Sequence, residues 1–369
     1  MEVAKQPVIK VIWNNKVVTA DVSQYLSSVN YTDREEGASD EATFVFDNST
    51  GIWSEDWYPT EGDTIELWMG YQNKQMNCGL FQVDEITLSG LPDVIEIKAI
   101  AAGISKALRT KNCKAFEEAT LKQIALFYCR KHDLTLIDKS AMLGQINLER
   151  KTQENKTDLA FLAELAKEFG FLFSVRGKSL IFTSYYDLDN APAIKEIDKT
   201  EIGSYSLTEK TFDTYARAEV KQRNKKTGKT VTVQNVYSDW NGRPIKEDVL
   251  LVKGKAANAS TAEAKVKGGL WNANKFKQSG SLNNLEGDPE LVAGMNFDLT
   301  GFGLGSGKYH IVSSSHTISG DSVYTMSLEI RKTGTIPKPK RVPRAAKPAP
   351  TPKEEVSTAL GEEEGDYEQ

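Results

Sequence analysis

The chain has 369 residues, 39% of them hydrophobic and 26% charged, with a formal net charge of -5. That length predicts roughly two to four domains with real cores, and the acidic balance argues against gripping nucleic acid by neutralising phosphates, so no sequence-specific nucleic-acid partner is expected. No apolar run approaches the roughly 20 residues that span a bilayer, and the start MEVAKQPVIKVIW lacks the apolar core and cleavage site of a signal peptide, so synthesis in the cytoplasm and no membrane partner are expected.

Residues 1–110 read mostly as strand, over 8–13, 43–47, 64–69, 79–88 and 94–101, with turns at Asn14-Asn15, Glu61-Gly62-Asp63 and Gly90-Leu91-Pro92. They predict a first small β-barrel or sandwich. Over 111–202 the period changes. Residues 119–132 place Leu121, Ile124, Ala125 and Tyr128 on one helical face, with Thr120 or a neighbour as cap. A second amphipathic helix over 157–169 has Thr157 at its N-cap and stops at Gly170, and two strands around Arg176-Gly177-Lys178 follow. This is a compact α/β insert. From 203 to 334 strands return, over 205–207, 215–222, 230–237, 249–252 and 276–281, with one helix at 260–273 capped by Ser260 or Thr261 and weakened by Gly268-Gly269. The basic run 221–229 reads as a solvated hairpin tip turning at Gly228. Residues 335–369 form a Pro/Lys-rich linker with an acidic end, a composition that cannot bury enough apolar surface to fold alone, so disorder is expected.

The segment 287–331 is written as successive antiparallel strands separated by glycine-rich turns. Gly301, Gly303, Gly305 and Gly307 make a GxGxG run, but a phosphate cradle needs a helix opening straight after the loop, and here a β-branched, aromatic strand follows. His310 and His316 differ by an even number and share a face on an unbroken strand, which makes a metal pair conceivable. No third ligand accompanies them, and strand packing or a polar wall is the preferred reading. His132 ends a helix, where a positive side chain suits the dipole.

Catalytic signatures are missing: there is no GxSxG, no HExxH and no Walker lysine. Cys78, Cys113 and Cys129 form no CxxC pair and read as buried thiols. The sequons at Asn30, Asn48, Asn155 and Asn258 carry no meaning without secretion. Carboxylates abound at Asp33, Glu35, Glu36, Asp40 and Glu41, at Asp84 and Glu85, and at Glu117 and Glu118. A glycosidase needs only two across a cleft, so a cell-wall hydrolase using a pair such as Asp84 and Glu85 stays open beside the reading of charged loops. Of the scattered tryptophans Trp13, Trp53, Trp57, Trp68, Trp240 and Trp271, only Trp53 and Trp57 are close in sequence. They suit a core or interface, or a sugar-stacking platform of a carbohydrate- or receptor-binding module.

The motifs Gly287-Asp288-Pro289, Ala293-Gly294-Met295, Gly301-Phe302-Gly303, Ser306-Gly307-Lys308-Tyr309, His316 and Tyr324 resemble the late-control gene D family of contractile phage tails. Supporting matches are residues 21–26, Tyr31-Thr32-Asp33 with Ser39-Asp40, Pro59-Thr60-Glu61-Gly62-Asp63, Gly79-Leu80-Phe81-Gln82-Val83-Asp84 and the STAEA run at 260–264. The resemblance spans about 8–331. It implies a baseplate hub of a phage, a tail-like bacteriocin or an extracellular injection system. The implied fold is mainly β with an α+β insert: two similar β-barrel, tail-tube-like domains (1–110 and 203–334), a small α/β domain (111–202) and a disordered tail. The implied partners are two further copies in a homotrimer, a tail tube or tube-initiator protein, a separate spike, baseplate wedge components and a tape measure protein. No catalytic residue, cofactor or metal is implied.

Overall fold

Alternation of apolar and polar residues writes the first β region. Its strands are β1 (Pro7–Trp13), β2 (Lys16–Val17), β3 (Leu26–Arg34), β4 (Glu41–Asp47), β5 (Thr64–Tyr71), β6 (Lys74–Ser89) and β7 (Val94–Ala101), with a short helix α1 (Thr19–Ser23) after β2. Every second side chain turns inward: Ala42, Phe44 and Phe46 from β4 and Ile95, Ile97 and Ala99 from β7 are fully buried. The computed structural model describes residues 5–36, 39–102, 110–223, 230–236, 248–252 and 258–334. Residues 224–229 of the basic run with its Gly228 turn, Tyr237, Trp240 and the segment 335–369 lie outside them. Contacts divide the chain into Met1–Ile336 and Pro337–Gln369, and every described residue belongs to the first unit.

The insert contains β8 (Lys111–Thr120), α2 (Leu121–Lys131), β9 (Thr135–Asp138), β10 (Asn147–Thr157), α3 (Asp158–Glu168), β11 (Phe171–Arg176), β12 (Ser179–Ser184) and α4 (Tyr185–Asn190). Its core gathers Leu121, Ile124, Tyr128, Phe161, Leu162, Leu165 and Phe182. Both expected caps form. Thr120 makes a full capping box with Gln123, and the Thr157 hydroxyl accepts the Ala160 N–H at 3.1 Å.

After α4 come β13 (Ala193–Asp198), β14 (Ser204–Glu209), β15 (Arg217–Arg223), β16 (Thr230–Val236), β17 (Val249–Leu251), α5 (Ala259–Asn274), β18 (Gln278–Glu286), β19 (Asn296–Thr300), β20 (Gly307–Ser319) and β21 (Tyr324–Gly334). Strands β15, β16 and β17 form a small sheet of their own under α5, with Ala218, Val220, Ala262, Val266 and Leu270 as its core. The cap of α5 is Asn258, whose side chain accepts the Thr261 N–H at 2.8 Å, and neither Ser260 nor Thr261 takes that place. The Thr261 hydroxyl instead bonds the Asn147 backbone of the insert, donating to its carbonyl at 3.1 Å and accepting its N–H at 3.0 Å. Gly268 does more than weaken the helix. A Cβ there would lie 2.4 Å from the Gly170 nitrogen, so only glycine allows α5 to sit this close to the end of α3.

The main sheet repeats itself. In the first β region the strands run β3-β4-β7-β6-β5, and in the second they run β14-β18-β21-β20-β19, with every neighbouring pair antiparallel. The two halves are not separate sheets. Strand β20 lies antiparallel on β3, from Ser313 opposite Arg34 to Ser319 opposite Ser28, and joins them into one sheet of thirteen strands. A bulge between Ile311 and Ser313 lets the first part of β20 pair with β19 and the second part with β3. As a result Ile318 is buried in the core of the first region, whereas Tyr309 and Ile311 belong to the core of the second.

Candidate functional site

Three acids at the end of β3 tie the parts of the molecule together. Asp33, 1% exposed, accepts from Arg176 Nη2 of the insert at 2.9 Å and from the Ala293 N–H of the second region at 3.0 Å. Glu35 is hydrogen-bonded to His310 Nε2 on β20. Glu36 accepts from the Tyr185 hydroxyl at 2.6 Å and from Lys275 Nζ at 2.9 Å. Beside them Tyr185 stacks on Trp271 with ring centroids 3.4 Å apart, and Arg331 lies over the Trp271 ring while pairing with Asp189 at 2.6 Å. Asp33 is therefore a buried ion-pair partner and Glu35 a buried hydrogen-bond partner, not the solvated loop acids that composition alone implies. Burial pushes the Asp33 carboxyl up to about 6, against the pull of Arg176. Burial also raises Glu36, but Lys275 and Tyr185 outweigh it and hold that carboxyl below its ordinary value.

The Gly287-Asp288-Pro289 turn works as a second clasp. Asp288 accepts from Lys74 at 3.1 Å, from Lys195 at 3.1 Å and from the Glu290 N–H at 3.1 Å. A Cβ on Gly287 would strike the Tyr324 ring at 2.3 Å, and Gly70 packs against Pro289 from the opposite region. The glycine-rich loop is a hairpin turn. Gly301 and Gly303 have φ of 83° and 59°, and β20 follows directly, with its first residues paired to β19.

The two histidines of β20 do not share a partner. His310 binds Glu35 and Asn296, while His316 lies 2.8 Å from the Tyr324 hydroxyl and 3.2 Å from Ser314 Oγ. Burial pushes His316 down to about 4, so it is neutral at pH 7, and its ring packs against Tyr31 and Tyr324 inside the protein. Among the described residues no group of three metal-ligating side chains occurs. His132 caps α2 as expected, and its Nε2 meets the buried Asp158 at 2.8 Å, which also takes Lys131 at 2.6 Å and Gln153 at 2.8 Å. Cys78 and Cys129 are buried and Cys113 is exposed, so the buried-thiol reading fails for Cys113, which sits on the two-stranded β8–β10 ribbon. Asp84 is exposed, and Glu85 pairs with Lys98 at 3.3 Å. Neither acid, nor Asp33 or Asp40, lines the open cavities around Trp57, around Asp288 and around Asn48. Trp53 is 2% exposed and stacked on Phe46, with Trp57 standing at 83° to it, so the pair forms a corner and not a flat platform.

The repeat in the sheet exposes a feature that alternation does not reveal. Strand β6 has its own bulge between Val83 and Glu85, and among the described residues its stretch beyond Val83 pairs only with β7. That stretch reads Thr87-Leu88-Ser89-Gly90, and the corresponding end of β20 reads Thr317-Ile318-Ser319-Gly320. Ile318 is 5% exposed because β3 covers it, and Leu88 is 48% exposed. At the far end of the sheet β14 pairs only with β18 among the described residues, and its Tyr205 is 45% exposed. These are open strand edges. The short Thr-(Leu/Ile)-Ser-Gly repeat is the signal in the sequence that finds the first of them.

Comparison places this architecture among tail proteins. The 43 kDa tail protein of prophage MuSo2 from Shewanella oneidensis superposes with a TM-score of 0.61 over 89% of this chain and 97% of that one, at 13% identity, a likeness of fold. In sequence, the chain is 27% identical over 177 residues to the probable baseplate hub protein of Escherichia phage 186, covering 48% of this chain and 44% of that protein. It is 25% identical over 170 residues to the probable baseplate hub protein of Escherichia phage P2, covering 46% and 43%. The match thus spans less than half the length of these curated relatives. No family model matches the chain. The fold is mainly β, as expected, and is shared with phage tail proteins. The chain is a relative of proteins described as baseplate hubs, and the resemblance read from its motifs is borne out.

Proposed function

We propose that the chain is a structural baseplate hub of a contractile tail. Three copies close into a pseudo-sixfold ring that connects the sixfold tail tube, or a tube-initiator protein, to a separate threefold spike, leaving a channel for DNA or effector passage. The observation that carries this reading is the repeated strand order with its unequal use of Ile318 and Leu88. Within one chain, β20 of the second region covers β3 of the first. The equivalent contact between chains sets β6 of one copy, beyond Val83, on β14 of the next. Such a head-to-tail contact uses different surfaces on the two partners and closes into a ring when the rotation permits. It buries Leu88 as Ile318 is already buried and covers the β14 edge. Three chains with two such β regions each supply six similar units.

The role is one of assembly, not catalysis, in the baseplate of a virion or tail-like particle put together in the bacterial cytoplasm. The relatives' description as hubs and the engagement of Asp33 with Arg176, of Glu35 with His310 and of Glu85 with Lys98 support it. Wedge components and the tape measure protein are further partners. The net charge of -5 suits a wall that DNA passes without sticking. Native mass spectrometry and negative-stain microscopy of the purified chain test the ring: the expected result is a mass of three chains and a ring-shaped particle. A strictly monomeric protein at micromolar concentration that binds neither tube nor spike overturns the reading.

A further inference from the structure

We propose that the cavity walled by Trp13, Trp53 and Trp57 is a binding site for an arginine side chain presented on a segment of a partner protein. The cavity, of about 330 Å³, is bounded by residues of β1, of α1 and of the loop between β4 and β5. Tyr58 and Pro59 complete its apolar wall, Asp21, Asp56 and Asp63 stand around it, and none of the residues that line it is cationic. Asp63 is held in place by Trp13 Nε1 at 3.1 Å, Asn14 Nδ2 at 2.8 Å and the Thr60 N–H at 3.1 Å. Asp21 and Asp56 are exposed, and neither forms a salt bridge with a described residue. Among the described residues no salt bridge offsets the charge of Asp21 and Asp56, which favours a positively charged occupant.

The ring geometry narrows the choice. Trp53 already has one face on Phe46, 4.2 Å between centroids, and Trp57 meets it edge-on at 5.4 Å. Trp53 is 2% exposed, so the ring surface open to an occupant belongs to Trp13 and Trp57, and ring surface rimmed by carboxylates suits a flat cation. Guanidinium is planar, weakly hydrated and able to fork onto carboxylates, which sets it apart from an ammonium group. The site does not depend on the hub reading, since it rests on one face of the first β region.

The test uses the full chain labelled with 5-fluorotryptophan and followed by fluorine NMR during titration with a Gly/Ser octapeptide carrying one central arginine. The expected result is a shift of the Trp53 and Trp57 resonances, with affinity falling about tenfold in the Asp21→Asn, Asp56→Asn double variant, whose changes are confined to exposed side chains. Citrulline in place of arginine should abolish the shift. Equal binding of the citrulline peptide, unchanged affinity in the double variant, or a response to chitotetraose and not to the peptide each overturns the proposal. So does the absence of any shift at millimolar peptide.

Discussion

Arg176 of the insert lies 2.9 Å from Asp33 of β3, and this contact pins the insert to the main sheet through a carboxylate that is almost wholly buried. The Asp33 carboxyl, at about 6, sits above its ordinary value, so the folded chain holds a proton there that the unfolded chain has released between about pH 4 and 6. The associated stability is fully present below pH 4 and is lost as pH rises through 6. Asp33→Asn removes that slope. The stability of the wild type relative to Asp33→Asn should fall by on the order of 2 kcal/mol from pH 4 to pH 7, read from urea midpoints. A difference that stays level or grows with pH contradicts this account.

Gly268 and Gly269 look alike in the sequence and should behave oppositely. Alanine at an open helical glycine gains about 1 kcal/mol from propensity. At Gly269 the new Cβ meets a Val252 methyl at 3.0 Å, a side chain able to yield, so the gain should largely survive. At Gly268 it meets the Gly170 backbone at 2.4 Å, and Gly268→Ala should lose roughly 1–3 kcal/mol. Thermal unfolding of the two variants gives the signs directly.

Asp158 is fully buried and tied to Lys131, His132 and Gln153. Burial raises its carboxyl, but Gln153, Lys131 and His132 outweigh that and hold it below the ordinary value. Its stabilising effect is present above the unfolded value and is lost as pH falls. Asp158→Ala should cost about 3 kcal/mol at pH 7 and less at pH 3, as chemical denaturation at the two pH values will report.

Ile318 and Leu88 offer a matched pair. Ile318→Ala removes a buried side chain from the first core and should cost about 2–4 kcal/mol of stability. Leu88→Ala should leave the unfolding midpoint of the isolated chain nearly unchanged and, on the proposed ring, weaken association by about tenfold or more in sedimentation.

What the sequence made legible was local. The caps Thr120 and Thr157, the α2 and α3 faces and the hairpin glycines all follow from residues a few positions apart. Strands β8 and β10 escaped because they form an isolated two-stranded ribbon that buries little and so carries no alternation to read. Strand β3 escaped for another reason. One of its faces carries half-buried polar side chains, as where Asn30 donates to Ser315 and Thr317 at 2.9 and 2.8 Å. The fate of the acids at its end was equally hidden, since the partners of Asp33 and Glu35 lie 143 and 275 residues away. Whether such an acid is solvated or clasped depends on the far strand, not on its neighbours.

The β3–β20 seam also imposes an order in time. Asn30 leaves the ribosome 285 residues before Ser315, the residue it will bond. At roughly 5–20 residues per second, the first half of the sheet waits on the order of a quarter to one minute with the β3 edge bare. On one face of that strand Ser28, Asn30, Thr32 and Arg34 alternate, and a polar face makes a bare edge a poorer template for stray apolar strands during the wait.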